Sequence, residues 1–109
     1  MQFRKITAII HPYRLEDVEE ELLKLNVPGA SISKIKGYGE YANFFNPDWL
    51  AEHVKVEVFI GKHRAEEIAE AIMNVAHSGS EGDGIVAIQP VETIYHIRTK
   101  QKCQIDACD

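Results

Sequence analysis

The sequence predicts an α+β fold of the ferredoxin-like type, a split βαβ sandwich of order βαββαβ with both helices on one face of an antiparallel sheet. Two observations carry this prediction. The order strand, helix, strand occurs once in each half of the chain. Apolar residues alternate in the strand segments and recur at helical spacing in the segments between them. Because a sheet covered on one face leaves the other face open, we expect the protein to form an oligomer.

Four segments have the alternation and the β-branched content of strands. The third is the most regular, since Val54, Val56 and Val58 alternate with Lys55 and Glu57. The fourth contains a proline at position 90, which predicts a bulge or an edge position because proline cannot donate a ladder hydrogen bond. In chain order the segments read FRKITAIIHP, PGASISKIKGYG, HVKVEVFI and GIVAIQPVETIYHIR.

Two segments between the strands have the spacing of amphipathic helices. The first reads RLEDVEEELLKLNV, with Leu15, Val18 and Leu22 on one stripe. Its first turn is acidic, which suits the positive end of the helix dipole. The second reads HRAEEIAEAIMNVAH, with Ile68 and Ile72 near one stripe. Both helices therefore have an apolar side that can cover the sheet.

The composition is that of one globular domain, with 109 residues of which 45% are hydrophobic and 27% charged. A net charge of −5 argues against general binding to nucleic acid. The apolar runs are too short for a membrane span, and Arg4 and Lys5 interrupt the first of them. We therefore expect no signal peptide, and we expect the protein to be cytoplasmic.

The sequence contains no arrangement of residues typical of an active site, and we expect that the protein is not an enzyme. Its 5 histidines lack the spacing of a metal site, so no metal site is expected. The two cysteines, Cys103 and Cys108, lie in a polar C-terminal tail. Their spacing allows a small disulfide loop, a pair of metal ligands or two reduced thiols.

A glycine-rich segment, SGSEGDGI at 78–85, connects the second helix to the fourth strand. Gly79, Gly82 and Gly84 allow backbone N–H groups to converge on an anion, as in a nest. The alternative is a helix C-cap at Gly79 followed by a tight turn. The segment lacks the lysine of a P-loop and does not precede a helix, so a P-loop is excluded.

Two further segments suggest contacts with a ligand or a partner. The segment 40–52 reads EYANFFNPDWLAE, and its aromatic residues predict either a docking element or a loop that folds back onto the core. The second segment reads HIRTKQK. On a single strand its basic residues would share one face. That face would be either a phosphate clamp centred on Arg98 or a solvated basic edge. The residues are His96, Arg98, Lys100 and Lys102.

Taken together, these segments resemble the PII signal-transduction protein family. The stretch from ITAIIHP to KGYG is similar to that family's N-terminal half, which has AII-(K/H)-P and KGFG. SGSEGDGI is similar to the family's B-loop, T-G-x-x-G-D-G-K, and IYHIRT to its C-terminal IRIRTG. The resemblance implies a domain at 1–99 with a T-loop at 40–52, and it leaves 100–109 as a polar tail with both cysteines.

Members of this family are trimers of ferredoxin-like subunits that bind ATP, ADP or AMP in clefts between subunits. Their T-loops dock onto transporters, enzymes or regulators. The resemblance therefore implies a homotrimer with nucleotide sites shared between neighbouring subunits. The implied nucleotide-binding residues are Ile9, Gly37, Gly39 and Glu57 from the sheet, Ser78, Gly82, Asp83 and Gly84 from the B-loop, and Gly29, Ala30, Ser31, His96 and Arg98 from the neighbouring subunit.

The chain departs from the family pattern at ligand-binding positions. His53 replaces a lysine that meets 2-oxoglutarate, and Tyr41 is nearest to the place of a glutamine that helps to hold Mg-ATP and 2-oxoglutarate. The T-loop is short and lacks the uridylylation motif. We therefore expect 2-oxoglutarate sensing to be lost. Ile85 and His96 replace a lysine and an arginine that usually meet phosphates, so ADP or AMP is expected to bind at least as well as ATP.

These departures resemble the carboxysome-associated and bicarbonate-transport-linked branch of PII-like proteins. That resemblance implies a signalling protein that regulates inorganic-carbon uptake and docks its T-loop at 40–52 on a membrane transporter or an enzyme. Bicarbonate would be a second ligand near His53, Lys55 and Arg98. The alternatives are a nitrogen-regulatory PII protein and a trimeric CutA-like protein that binds heavy metals through its histidines and tail cysteines.

Overall fold

The computed structural model describes residues 1–37, 51–80 and 82–104. The main strands are β1 (Phe3–Ile10), β2 (Ser31–Gly37), β3 (Ala51–Gly61) and β4 (Gly84–Val91). The helices are α1 (Leu15–Lys24) and α2 (Lys62–Ala76), and a short 3-10 helix (Pro12–Arg14) precedes α1. After β4, two short strands, β5 (Tyr95–His96) and β6 (Gln101–Lys102), pair with each other as a hairpin.

The main sheet has the strand order β2-β3-β1-β4, and each neighbouring pair is antiparallel. The two central strands, β1 and β3, each precede a helix, and each helix leads to an edge strand. This arrangement confirms the predicted ferredoxin-like βαββαβ fold. Pro90 lies on the edge strand β4, as its missing N–H required.

The core lies between the two helices and one face of the sheet. Alternation on β3 buries its valines beside the apolar residues of β1, and both helices bury their apolar stripes against them. Each fully buried aliphatic side chain stabilises the fold by roughly 1.5–3 kcal/mol relative to an exposed one. The largest of these side chains are Ile6, Ile10, Ile60, Ile68, Ile72, Val18, Val56 and Val58.

The end of α1 is tied to the start of α2 through Leu25. Asn26 follows it with a φ of 57°, a left-handed conformation that asparagine tolerates, and the N–H of Val27 donates to the Leu22 carbonyl at 3.0 Å. The Arg64 guanidinium of α2 donates to the Leu25 carbonyl. These bonds satisfy carbonyls that a helix end leaves open, and they direct the chain towards β2.

The opposite face of the sheet carries both charged and apolar residues. Phe59 is 48% exposed and Ile85 is 39% exposed. Lys5 and Glu57, on neighbouring strands of this face, form an ion pair. A partner that covered this face would remove the apolar side chains from water, as the expected oligomer requires. Within the described residues, no helix is long and apolar enough to cross a membrane.

Gly84, the first residue of β4, meets the end of β1 too closely for any side chain. A Cβ at this position would lie 1.8 Å from the carbonyl oxygen of Ile9, and the φ of Gly84 is +112°. Gly84→Ala should therefore lower the free energy of unfolding by at least ~2 kcal/mol, since backbone strain and a backbone clash add. Chemical denaturation measures this difference.

Gly29→Ala is the matched control for this prediction. A Cβ on Gly29 would meet nothing within 4 Å, so its stability should stay within about 0.5 kcal/mol of the wild type. Equal stabilities for the two variants would contradict the proposed close contact between Gly84 and Ile9.

Candidate functional site

The segment between α2 and β4, residues 78–84, is called the glycine turn below. Helix α2 ends at Ala76, and His77 is extended, so the helix stops before Gly79 and no C-cap forms at that glycine. Gly79 has a φ of +89° and Gly84 a φ of +112°, values that favour glycine. The two glycines let the chain reverse and enter β4 within a few residues.

The side chain of Asp83 holds the glycine turn together from within. Its carboxylate accepts the backbone N–H of Ser78 at 2.8 Å and that of Gly79 at 2.9 Å. The hydroxyl of Ser78 also donates to it, and that of Ser80 does so at 3.2 Å. The carboxylate therefore occupies the centre of the nest that the glycines were predicted to form around an anion.

These contacts keep Asp83 ionised. Burial raises the pKa of the carboxyl, but the hydrogen bonds from Ser78, Gly79 and Ser80 together outweigh burial and hold the pKa well below its ordinary value. The turn thus carries a negative charge that its own N–H and O–H donors stabilise. Because a carboxylate repels an anion, this charge disfavours an anionic ligand directly beside it.

Two histidines lie beside the glycine turn, and one of them, His53, is hydrogen-bonded to it. Ile10 pairs with Val54, and the continued register places His11 opposite His53, where their ring centroids are 5.0 Å apart. The Nε2 of His53 donates to the Gly82 carbonyl at 3.3 Å in the tautomer that places a proton there. The Nε2 of His11 lies 3.7 Å from the Asp83 carboxylate.

His11 lies in surroundings that disfavour its charged form. Burial lowers its pKa below the ordinary value of 6.5, and the neighbouring His53 and Arg14 lower it further. Asp83 acts in the opposite direction but does not outweigh them. The ring of His11 also stacks on Tyr13, with centroids 5.0 Å apart and an interplanar angle of 13°.

A cleft of about 200 Å³ opens beside the glycine turn, between the end of α2 and the edge of the sheet. Its wall is mostly apolar and includes Ile85, which stands where the family pattern has a phosphate-binding lysine. The cleft thus joins an apolar surface to the polar backbone of the turn. Its other apolar lining residues are Ile9, Ile10, Met73, Ala76 and Val86.

Glu57 lies on the face of the sheet that the helices leave open. Its carboxylate is 3.3 Å from the Nζ of Lys5 and 3.5 Å from that of Lys55. The hydrogen bond from Lys5 is the main cause of its lowered pKa, and Lys55 adds to it. Two of the residues predicted to bind ligands, Glu57 and Lys55, are therefore paired with each other.

The remaining predicted residues lie apart from the glycine turn within one chain. Ser31 and Gly37 belong to β2, and Gly29 and Ala30 precede it. Strands β2 and β4 are at opposite edges of the sheet, three strand spacings or roughly 14 Å apart. Within one chain, the residues on and before β2 are therefore separated from the glycine turn. Gly39 lies outside the described residues.

His96 and Arg98 lie on the hairpin that follows β4. On a single strand the basic residues of HIRTKQK would share one face, but the chain reverses at 97–100. Lys100 has a φ of 61°, and its N–H donates to the His96 carbonyl at 2.8 Å, which closes the turn. The side chain of Arg98 is exposed. Of the two predicted arrangements, a strand or a broken pair, the structure has the interrupted one, because residue alternation alone does not exclude a hairpin.

The described part of the tail is anchored to this hairpin. The N–H of Cys103 donates to the Ile94 carbonyl at 2.8 Å, and Cys103 is buried. Cys103 is disulfide-bonded. The other cysteine of the chain, Cys108, lies outside the described residues, as do positions 40–50 of the predicted T-loop.

Sequence reasoning did not find His11 as a contact of the glycine turn. Its only local signal was its place before Pro12 at the end of a predicted strand. The pairing register of β1 and β3 would have revealed it, since that register brings His11 next to His53. Register between distant strands depends on tertiary pairing, which the spacing within one segment does not specify.

Comparison with known proteins decides the family. The family model described as nitrogen regulatory protein P-II matches residues 3–101. The chain belongs to this family. It is therefore a signalling protein of the PII type, and the resemblance seen in the sequence is confirmed.

Curated relatives match the chain over most of its length. The nitrogen regulatory protein P-II of Azospirillum brasilense is 35% identical over 106 residues, which cover 91% of this chain and 95% of the relative. That of Rhizobium meliloti (strain 1021) is 36% identical over 103 residues, or 88% and 92% of the two chains. Among solved structures, Arabidopsis thaliana PII bound to citrate has a TM-score of 0.82 at 29% identity and covers 97% of this chain and 92% of its own.

Asp83→Asn should destabilise the protein and remove part of its acid sensitivity. The folded pKa of Asp83 lies below the ordinary value of 3.8, so its stabilisation is complete above that pH and is lost as the pH falls below it. At pH 7 we expect a loss of about 2 kcal/mol, since hydrogen bonds to a charged acceptor are lost. Denaturant unfolding at pH 7 and pH 3 measures both effects.

Glu66→Gln, an exposed change on α2, is the control and should stay within about 0.5 kcal/mol of the wild type. The prediction that an ionised Asp83 stabilises the turn would be refuted if the wild type and Asp83→Asn lost the same amount of stability between pH 7 and pH 3.

Proposed function

We propose that this protein is a PII-type regulator that binds ADP or AMP in preference to ATP, in clefts between the subunits of a homotrimer. The apolar cleft beside the glycine turn, with Ile85 in its wall, carries this proposal. The apolar wall suits a nucleobase, and Arg98 from a neighbouring subunit would meet the phosphate groups. A regulator of this type has no need of a catalytic group, in line with the expectation that it is not an enzyme.

The preference for fewer phosphates rests on the loss of positive charge. The side chain of Ile85 provides no donor and no charge at the start of β4, and the imidazole of His96 lacks the bidentate donor fork of an arginine. A positively charged side chain strengthens nucleotide binding most where the negative charge of the ligand is greatest, which is at the outer end of a triphosphate. Arg98 remains as the guanidinium best suited to a phosphate.

A shared site between subunits accounts for the separation seen within one chain. The glycine turn and the Gly29–Ser31 segment lie at opposite edges of the same sheet. A neighbouring copy can bring its own Gly29, Ala30 and Ser31 to the cleft, together with His96 and Arg98 from its exposed hairpin. The apolar side chains on the open face of the sheet, Phe59 and Ile85, also support association.

Bicarbonate is proposed as a second ligand close to the nucleotide phosphates. His53 contacts the glycine turn, Lys55 lies two residues further along β3, and Arg98 would come from the hairpin of a neighbour. The 3.5 Å pair between Lys55 and Glu57 would have to open or be shared for Lys55 to take part. Bound citrate in the Arabidopsis relative supports small carboxylate effectors as a ligand class.

The proposed output is regulation of inorganic-carbon uptake, in the cytoplasm or at the periphery of a membrane transporter. The segment 40–52 is the proposed T-loop and would dock on the transporter or on an enzyme. Its aromatic content supports a protein partner rather than a purely solvated loop. The assignment to the carboxysome-associated branch rests on the positions at which this sequence departs from the ligand-binding residues of the family pattern.

Nitrogen regulation is the second candidate, supported by the names of the relatives. It predicts binding of 2-oxoglutarate, for which His53 is poorly placed because its Nε2 is engaged with the Gly82 carbonyl. The CutA-like alternative has less support. Within residues 1–37, 51–80 and 82–104, no group of three or more histidine, cysteine or acidic side chains is placed to hold a metal ion.

Calorimetry with AMP, ADP and ATP tests the proposed preference, and Ile85→Lys tests its cause. The wild type should bind ADP or AMP at least as tightly as ATP. Ile85→Lys should strengthen ATP binding relative to ADP by about tenfold, the effect of about 1.4 kcal/mol from a charge-assisted contact. 2-Oxoglutarate should produce no heat with either protein.

Asn74→Lys adds the same charge at an exposed position of α2 and should leave the ratio of ATP to ADP affinity unchanged. A wild-type protein that binds ATP tenfold or more tightly than ADP would refute the preference. Absence of binding by all three nucleotides would refute the nucleotide function itself.

A further inference from the structure

Two lysines share one carboxylate on the open face of the sheet, the face that the helices leave uncovered. The Nζ of Lys5 lies 3.3 Å from one oxygen of Glu57, and the Nζ of Lys55 lies 3.5 Å from the other. The hydrogen bond from Lys5 holds the pKa of Glu57 below its ordinary value, so the carboxylate is ionised at neutral pH. Two positive charges and one negative charge leave this group with one positive charge in excess.

The paired positions on the neighbouring strands add hydroxyl groups but no second carboxylate. The strand register sets Thr7 of β1 and Ser31 of β2 on either side of Glu57. It also sets Ser33 of β2 beside Lys55. Residues directly opposite each other on antiparallel strands point to the same face, with Cβ atoms about 5 Å apart. The excess charge therefore has hydroxyl donors around it and no further anionic side chain at these paired positions.

Apolar side chains border this charged group at both ends. Phe59 lies directly opposite Lys5, and Ile9 lies opposite Lys55. Ile85 lies opposite Ile9 on the next strand. Phe59 and Ile85 are exposed, and the removal of their surface from water favours a partner that covers this face. Such a partner covers the lysines too, because each lysine lies directly beside an apolar side chain.

Covering this face is costly as long as the excess charge remains. In the single chain the side chains of Lys5, Lys55 and Glu57 are 31%, 36% and 26% exposed, so water still solvates them. A partner would remove this water, and a buried charge without a counter-charge is strongly unfavourable. A second copy that met this face with its own open face would bring the same excess and double it. The apolar side chains thus favour association, and the lysines oppose it until an anion neutralises them.

We propose that the open face binds one small oxyanion per subunit, held by Lys5 and Lys55, and that the homotrimer forms over it. A compact oxyanion such as phosphate or bicarbonate can accept hydrogen bonds from both ammonium groups and from the hydroxyls of Thr7 and Ser31. Apart from Lys55, these donors differ from those of the bicarbonate site proposed above. The inference rests on the proposed homotrimer, and it is independent of nucleotide binding.

Sedimentation velocity of the full chain in rising urea measures the association constant of the trimer and tests this site. The buffers contain chloride, inorganic phosphate or bicarbonate at one pH and one ionic strength. For each tenfold rise in oxyanion concentration the association constant should rise by up to about tenfold per bound anion, or roughly a thousandfold for the whole trimer. The oxyanion with the steeper dependence is the preferred ligand. Phosphate also favours compact states in general, so variants are needed to show that a site is responsible.

Thr7→Asp supplies a carboxylate inside the chain at the position opposite Glu57, within reach of both lysines. Its trimer should be as stable in chloride as the wild-type trimer is in saturating oxyanion, and the dependence on oxyanion should be lost. Asn74→Asp adds the same charge at an exposed position of α2 and should keep the wild-type dependence. An equal dependence on oxyanion in the wild type and in Thr7→Asp would overturn the proposal.

Lys5→Met provides a second test that does not depend on the folding of Thr7→Asp. It leaves one lysine with one carboxylate, so the stability of its trimer should also be independent of oxyanion. A wild-type trimer that responds to neither oxyanion would refute the site and leave the homotrimer standing, whereas a chain that stays monomeric in every buffer would refute both. Loss of nucleotide binding changes none of these results, so the nucleotide function and the oxyanion site fail separately.

Discussion

The close approach of Gly84 to the carbonyl of Ile9 is the constraint on which the site depends. A Cβ here would lie 1.8 Å from that oxygen, so the chain can enter β4 at this place only with glycine. The residue before it, Asp83, is thereby placed beside the end of β1 and next to His11. The cleft and the glycine turn take their positions from this contact, whereas the pairing of β1 with β3 places the two histidines.

Asp83 stabilises the turn from within. Its carboxylate accepts the N–H groups of Ser78 and Gly79, so these donors are paired inside the chain. The same carboxylate limits the attraction for phosphate, and Ile85 adds no charge to offset it. Attraction for an anionic ligand therefore has to come from outside this turn, and the exposed Arg98 of a neighbouring subunit is the proposed source.

The secondary structure was predictable because its signals are local. Alternation on β3 and helical spacing in α1 and α2 each occur within one segment, and the structure follows them closely. The hairpin at 95–102 was not predicted, since alternate basic residues are compatible with a strand and with two paired strands. The contacts of Asp83 within the turn were not predicted either, because motif spacing does not reveal which N–H groups a side chain will accept.

The sequence by itself determined the order of strands and helices, the apolar side of each, and the family. These properties depend on residue type and spacing along one chain. Only the tertiary structure decided that His11 lies opposite His53, that Asp83 faces inward, and that the glycine turn and the Gly29–Ser31 segment lie at opposite edges of one sheet. Each of these depends on pairing between strands far apart in sequence, which is set by packing of the whole domain.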